Sequence, residues 1–226
     1  MRGVVRLNQR VADASFLLRV ELERPVEWRI GQHFSIGLAG LGVNREYSCL
    51  DSDGDSQTFD FLYKVVEGGV LTPQLSRLTD GDEVEVWGPF GEFLQTETWL
   101  GSGRRLAIAT GTGISPFLSE AARKTGPHEP PAQMSVLYGL RSGADYFDGD
   151  GLLGRIDGLT VCYSRQEAPQ GSFGGRVTDF LRENPRFIEP FDAIALCGNR
   201  KMIAETYSIL REQGFPENQI ESEVFF

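Results

Sequence analysis

Leu106-Ala107-Ile108-Ala109-Thr110-Gly111-Thr112-Gly113-Ile114-Ser115-Pro116 decides how the second half of this chain folds. Its opening apolar run reads as a short buried strand, and the residues from Ser115 onward read as a helix. Two glycines lie between them. Glycines let backbone N–H groups approach a phosphate, and a helix N-terminus adds positive potential. Pro116 falls in the first helical turn, where a missing N–H costs nothing. The third glycine of the usual dinucleotide fingerprint is absent, so these residues alone also fit a plain strand–turn–helix corner.

Downstream, strands (134–138, 159–163, 193–196, 220–226) alternate with helices (115–124, 176–182, 201–212), which predicts a parallel sheet covered on both faces. Its strand count is five, and 127–131 reads as a loop. Upstream the style differs. Segments 4–7, 15–21, 33–37, 46–50, 58–66 and 82–87 are short, β-rich and punctuated by Gly, Asp or Pro. Only 72–78 looks helical there. Six strands with one short helix predict a small antiparallel Greek-key β-barrel. The border falls near Gly101-Ser102-Gly103, giving a barrel domain over 1–100 and an α/β domain over 101–226.

The chain's 226 residues suit one large domain or two small ones, and its net charge of -10 argues against nucleic acid as a general partner. Residues 1–103 carry nine Lys/Arg against sixteen Asp/Glu, while 104–226 carry thirteen against sixteen, so an anionic ligand fits the second half better. Three scattered cysteines give no zinc ribbon or iron–sulfur run and fit a reducing compartment. No metal site is expected. No apolar stretch nears the roughly 20 residues that span a bilayer, and the N-terminus lacks a secretory core. The expected setting is cytoplasmic.

Several further motifs stand in order. They are Arg45-Glu46-Tyr47-Ser48, Gly69-Val70-Leu71-Thr72, Gly81-Asp82-Glu83-Val84 and Gly88-Pro89-Phe90-Gly91. After the Gly111 turn come Tyr138-Gly139-Leu140-Arg141, Ser164-Arg165, Gly175-Arg176-Val177, Cys197-Gly198-Asn199 and the ending Glu223-Val224-Phe225-Phe226. In this order they resemble the ferredoxin–NADP⁺ reductase family of flavoproteins over nearly the whole chain. That resemblance implies a flavin-binding barrel, a nucleotide-binding α/β domain, FAD (with FMN the lesser candidate) and NADP(H) as substrate.

It also implies roles. Arg45 would pair with the flavin pyrophosphate, since a guanidinium fork matches phosphate oxygens. Tyr47 would stack on the isoalloxazine and Ser48 would bond near its N5. Glu46, Tyr63, Val65, Gly69, Val70, Leu71, Thr72 and Thr112 complete the flavin set. Thr72 also suits a helix cap. Phe226, or its neighbour Phe225, would cover the flavin and swing aside for the nicotinamide. Strand alternation lets only one of the two rings do so. Gly111, Thr112, Gly113, Arg141, Ser164, Arg165, Arg176, Cys197, Gly198, Asn199 and Met202 would bind NADP(H). Arginines at strand ends, where an NAD site tends to place an acid, favour the 2′-phosphate. Ser48, Cys197, Glu223 and Phe226 are the expected catalytic group.

The implied activity is electron transfer between NADP(H) and a separate one-electron carrier, ferredoxin or flavodoxin, through hydride transfer at flavin N5. A monomer is expected. Arg2, Arg6, Arg10 and Arg19 are candidates for a basic docking patch. The alternatives are an NAD(P)H:free-flavin reductase, the reductase component of an oxygenase system and a non-catalytic nucleotide sensor. The two histidines, His33 and His128, lie in no recognisable triad context, which argues against a serine nucleophile.

Overall fold

The computed structural model describes residues 1–50, 57–122, 133–149 and 151–225, with side chains through Val224. The 127–131 loop, His128 and Phe226 lie outside the described residues, as does the side chain of Phe225.

Six antiparallel strands form a closed barrel. They are β1 (Arg2–Arg10), β2 (Ser15–Leu22), β3 (His33–Gly37), β4 (Asn44–Leu50), β5 (Thr58–Lys64) and β6 (Glu83–Phe90), in the order β1-β2-β5-β4-β3-β6. Leu18, Val20, Phe34, Ile36, Phe61, Val84 and Val86 fill the barrel core; burial alternates clearly along β6, while β3 and β5 are buried almost throughout. Phe34 meets Phe59 and Phe61 at ring-centroid distances of 4.8 and 5.7 Å, and each fully buried Phe contributes about 1.5–3 kcal/mol. One turn of helix, α1 (Thr72–Leu75), plugs one end through Leu75. The helix expected over 72–78 stops at Leu75.

A linker carries α2 (Glu97–Gly101), which the sequence reading left out. Thr96 caps it by accepting a 3.1 Å bond from the Trp99 N–H, and Trp99 is wholly buried. Five residues are too few to show a helical period.

The α/β domain runs β7 (Arg104–Thr110), α3 (Ser115–Ala122), β8 (Gln133–Leu140), β9 (Gly158–Tyr163), β10 (Phe173–Gly174), α4 (Val177–Glu183), β11 (Ala193–Asn199), α5 (Arg200–Glu212) and β12 (Ile220–Phe225). All strands are parallel, in the order β10-β9-β8-β7-β11-β12. The expected five strands become six, because β10 is a two-residue edge strand with no pattern to read. The faces differ in bulk. Leu106, Ile108, Ile194 and Leu196 pack under α4 and α5. Ala107, Ala109, Ala195 and Cys197 face the other way, with α3 and the barrel residues Leu50 and Leu62. Small side chains on that face let α3 and the barrel come close. Chain order reverses about β7, so the carboxyl ends of β7 and β11 form the crevice where open α/β sheets bind ligands.

Among the described residues, no helix is long and apolar enough to cross a membrane.

Candidate active site

The crevice opens onto the end of β4. His33 and Ser48 are direct register partners across β3 and β4. Glu223 reaches them from β12, in the other domain. Ser48 Oγ donates to Glu223 Oε2 at 2.6 Å, and His33 Nδ1 lies 3.0 Å from Glu223 Oε1. Cys197 is the register partner of Glu223 and is fully buried. Burial, and after it the charge of Glu223, pushes the Cys197 thiol well up, so it stays neutral. Three of the four residues expected to be catalytic (Ser48, Cys197, Glu223) are therefore together. His33, which sequence reasoning set aside, joins them. The order is not that of a hydrolytic triad, because the carboxylate sits between hydroxyl and imidazole.

On the barrel side, Arg45 is exposed and its guanidinium donates only to the Asn44 carbonyl, at 2.7 Å, among the described residues. Glu46 is exposed beside it. Tyr47 packs edge-on to Tyr63, and its buried hydroxyl has no partner among the described residues. Burial raises its pKa. Val70 is exposed, its carbonyl accepting from Gln74, and the Gly69 N–H closes a turn onto the Val66 carbonyl. Val65 and Leu71 pack against the barrel core. Thr72 does not cap its helix. It is the first helical residue, and its Oγ1 accepts the Val66 N–H at 2.9 Å, pinning the 66–72 loop. Tyr63 is buried against the barrel core, with its hydroxyl donating to Asn8 Oδ1 at 3.0 Å. An orphaned hydroxyl near an exposed guanidinium that forms no ion pair among the described residues fits the polyhydroxyl chain and pyrophosphate of a flavin dinucleotide.

On the sheet side, Gly111–Ile114 is a 3₁₀ turn between β7 and α3. Tyr138 holds it through a 3.2 Å bond to the Gly111 carbonyl, and the Thr112 carbonyl accepts from Ser115 Oγ. Gly113 has a packing duty besides. A Cβ there would lie 2.5 Å from the Cys197 carbonyl oxygen. Gly198, at φ +147, passes Thr110 so closely that a Cβ would lie 2.2 Å from its hydroxyl oxygen. Asn199 caps α5 by accepting the Met202 N–H at 3.0 Å. Met202 is itself buried in the core beneath the sheet, its methyl close to Gly198. Arg141, Arg165 and Arg176 are exposed, and none makes an ion pair among the described residues. The turns that carry the first two are zipped together, with the Arg165 N–H on the Arg141 carbonyl and Ser164 Oγ on the Leu140 carbonyl. Arg176 precedes α4, its N–H held by Asp179.

The expected docking patch is corrected. Arg2, Arg6, Arg10 and Arg19 form ion pairs with Glu83, Glu21, Asp13 and Asp60, so their charge is spent at home. Among the described residues no group of acids, histidines and cysteines could hold a metal.

A second acid on β12 is also spent on the other domain. Glu221 Oε2 accepts the Leu94 N–H at 3.2 Å. Burial raises its pKa to about 7, against the opposing pull of that N–H, Thr96 and Arg105. A carboxyl raised above its unfolded value holds its proton longer folded than unfolded, so stability falls as pH climbs from about 4.3 toward 7. Glu221→Gln removes that loss. The expected result is a melting temperature higher by about 2–4 °C at pH 8, with little change at pH 4, measured by calorimetry.

Residues 4–94 match the oxidoreductase FAD-binding domain family, and residues 107–207 match the oxidoreductase NAD-binding domain family. The reductase component of propane 2-monooxygenase from Gordonia sp. (strain TY-5) is 29% identical over 220 residues, covering 90% of this chain and 61% of the relative. The match thus spans under two thirds of that relative's length. NADH-cytochrome b5 reductase 1 from Aspergillus oryzae is 26% identical over 98% of this chain and 83% of its own. A crystal structure of a ferredoxin NADP+ reductase from Neisseria gonorrhoeae, with bound FAD and NADP, has the same fold, with a TM-score of 0.83 and 18% identity over 100% of this chain and 98% of that one.

Proposed function

This chain belongs to the ferredoxin reductase-like flavoproteins, FAD- and NAD(P)H-dependent oxidoreductases, and from that premise we propose that it draws electrons from NADPH and passes them singly to a separate carrier protein of the ferredoxin or flavodoxin kind. The observation that carries the reading is the meeting of Ser48 and Glu223, 2.6 Å apart across the seam between barrel and sheet. A flavin on the barrel and a nicotinamide on the sheet must meet at that seam.

Residues 1–100 would hold FAD and 101–226 the nicotinamide dinucleotide. Arg45 takes the flavin pyrophosphate, with the amides of Val70 and Leu71 and the Thr72 hydroxyl, while the Gly69 turn shapes the loop that presents them. The Tyr47 hydroxyl gains the partner it lacks. Gly111, Thr112 and Gly113 cradle the second pyrophosphate. Arg165, helped by Ser164, Arg141 and Arg176, takes the 2′-phosphate. Cys197 and Gly198 shape the wall behind the nicotinamide, and Asn199 sets its position through α5. Phe226 or Phe225 covers the flavin until the nicotinamide arrives. When bound, flavin supplies hydride acceptance and the split into single electrons. The chain's own part is orientation, exclusion of water, and control of a proton at Glu223 Oε2 and Ser48 Oγ.

A second acceptor has support. A relative at 29% identity is the reductase component of a monooxygenase, which favours an oxygenase component as partner. A cytoplasmic setting is part of the proposal, supported by three buried cysteines that form no disulfide among the described residues.

The test is a spectrum, then a titration. The purified protein should be yellow, with tightly bound FAD released on denaturation, and should bleach with NADPH at a lower concentration than with NADH. In Arg165→Ala the KM for NADPH should rise about 10–100-fold, the loss of one charge-assisted contact, with little change for NADH. Colourless protein that reduces only added flavin would overturn this reading in favour of a free-flavin reductase.

A further inference from the structure

We propose that His33 is a positioning residue for Glu223: it holds one carboxylate oxygen so that the other stays on Ser48. The inference deepens the reading of the site given under Proposed function and rests on it. Two observations carry it. One carboxylate is held at both oxygens, by Ser48 at 2.6 Å and His33 at 3.0 Å. The two holders stand side by side on neighbouring strands of the barrel, while the carboxylate comes from the last strand of the other domain. A carboxylate held at one oxygen can rotate; held at both, it has one orientation.

The surroundings support the charged form of the imidazole. The groups facing His33 are Glu223 on β12, Glu46 on β4 and the Phe90 ring on β6, 6.1 Å away. No cation faces it among these. The hydrogen bond to Glu223 raises the His33 pKa, burial lowers it, and the charges of Glu223 and Glu46 raise it again. Hence the sign of the effect. The tether contributes fully below the unfolded value of about 6.5 and is lost as pH rises through the higher folded value. Beyond that point the Glu223 carboxylate loses its charged holder, and its alignment on Ser48 loosens.

Because the chain has only two histidines, imidazole titration by NMR is simple to assign, with His33→Asn marking the His33 signal. The folded protein as purified should show His33 titrating above about 6.5, and Glu223→Gln should lower that midpoint. An unmoved midpoint in folded Glu223→Gln overturns the proposal. The second arm reads function, so it survives any folding defect of that variant. The pH profile of the rate at which NADPH bleaches the bound flavin should decline above the His33 midpoint. His33→Asn keeps a donor where Nδ1 stands but cannot titrate, so the decline should disappear. His33→Ala should be slow at every pH. A profile in His33→Asn that still declines at the wild-type midpoint overturns the positioning role. A coupled His33–Glu223 pair in a protein that takes up no flavin supports the tether and overturns the redox reading instead.

Discussion

Glu120→Leu should lower the unfolding free energy by about 3–5 kcal/mol, the cost of breaking a buried ion pair from one side. Arg105 Nη1 donates to Glu120 Oε1 at 2.7 Å, with both side chains under 5% exposed (3% and 4%). The guanidinium also lies over the face of Trp99, 4.9 Å from the ring centroid. Its Nε and Nη2 have no hydrogen-bond partner among the described residues. Removing Glu120 takes away the acid that Arg105 bonds and leaves a desolvated cation against an indole. Arg105→Met/Glu120→Leu removes both charges and should recover most of the loss, since a well-packed apolar pair is often as stable as the ion pair it replaces. Urea denaturation of the single and double variants decides it, with the shift read at constant slope. A single-variant loss below about 1 kcal/mol, the range of an exposed pair, would mean that the pair is not effectively buried.

Gly113→Ala should reduce kcat/KM for NADPH by about 100-fold while leaving the FAD content unchanged. The added Cβ would stand 2.5 Å from the Cys197 carbonyl oxygen and 2.7 Å from its carbon, both main-chain atoms of a central strand that cannot yield. The 3₁₀ turn must shift away from β11 instead, and the cradle moves with it. A misplacement near 1 Å is enough for a loss of this size. Arg45, Tyr47 and Thr72, which would hold the flavin, stand on the barrel, so flavin retention is the internal control. Normal turnover in a folded Gly113→Ala would show that the turn does not position the dinucleotide.

Most of the architecture was legible because each domain has its own period. Alternation in 58–64 and the bare apolar run at 106–109 point to different kinds of sheet before any contact is known. What escaped was short or long-range. α2 and β10 are too brief for a period. Thr72 looked like a cap because capping and loop-pinning use the same hydroxyl, and only the fold shows which N–H it meets. The four barrel arginines looked like a docking patch because their acids are far off in sequence for Arg2, Arg6 and Arg19. Ser48, Cys197 and Glu223 were marked by their motifs. His33 was not, since its partner is 190 residues away. A histidine directly opposite the motif serine in the barrel register was the one available signal.

The two acids of β12 bear on how far this protein can be taken apart and recombined. Glu221 and Glu223 belong to the sheet by hydrogen-bond ladder, yet their side chains serve Leu94, His33 and Ser48. The halves are therefore not free cassettes. A hybrid that borrows its barrel from another protein inherits a last strand cut for different neighbours. To match, it needs a hydroxyl and an imidazole at the positions of residues 48 and 33, and a free amide at that of residue 94. Grafting would succeed along this strand's side-chain specification and not along the visible border between domains.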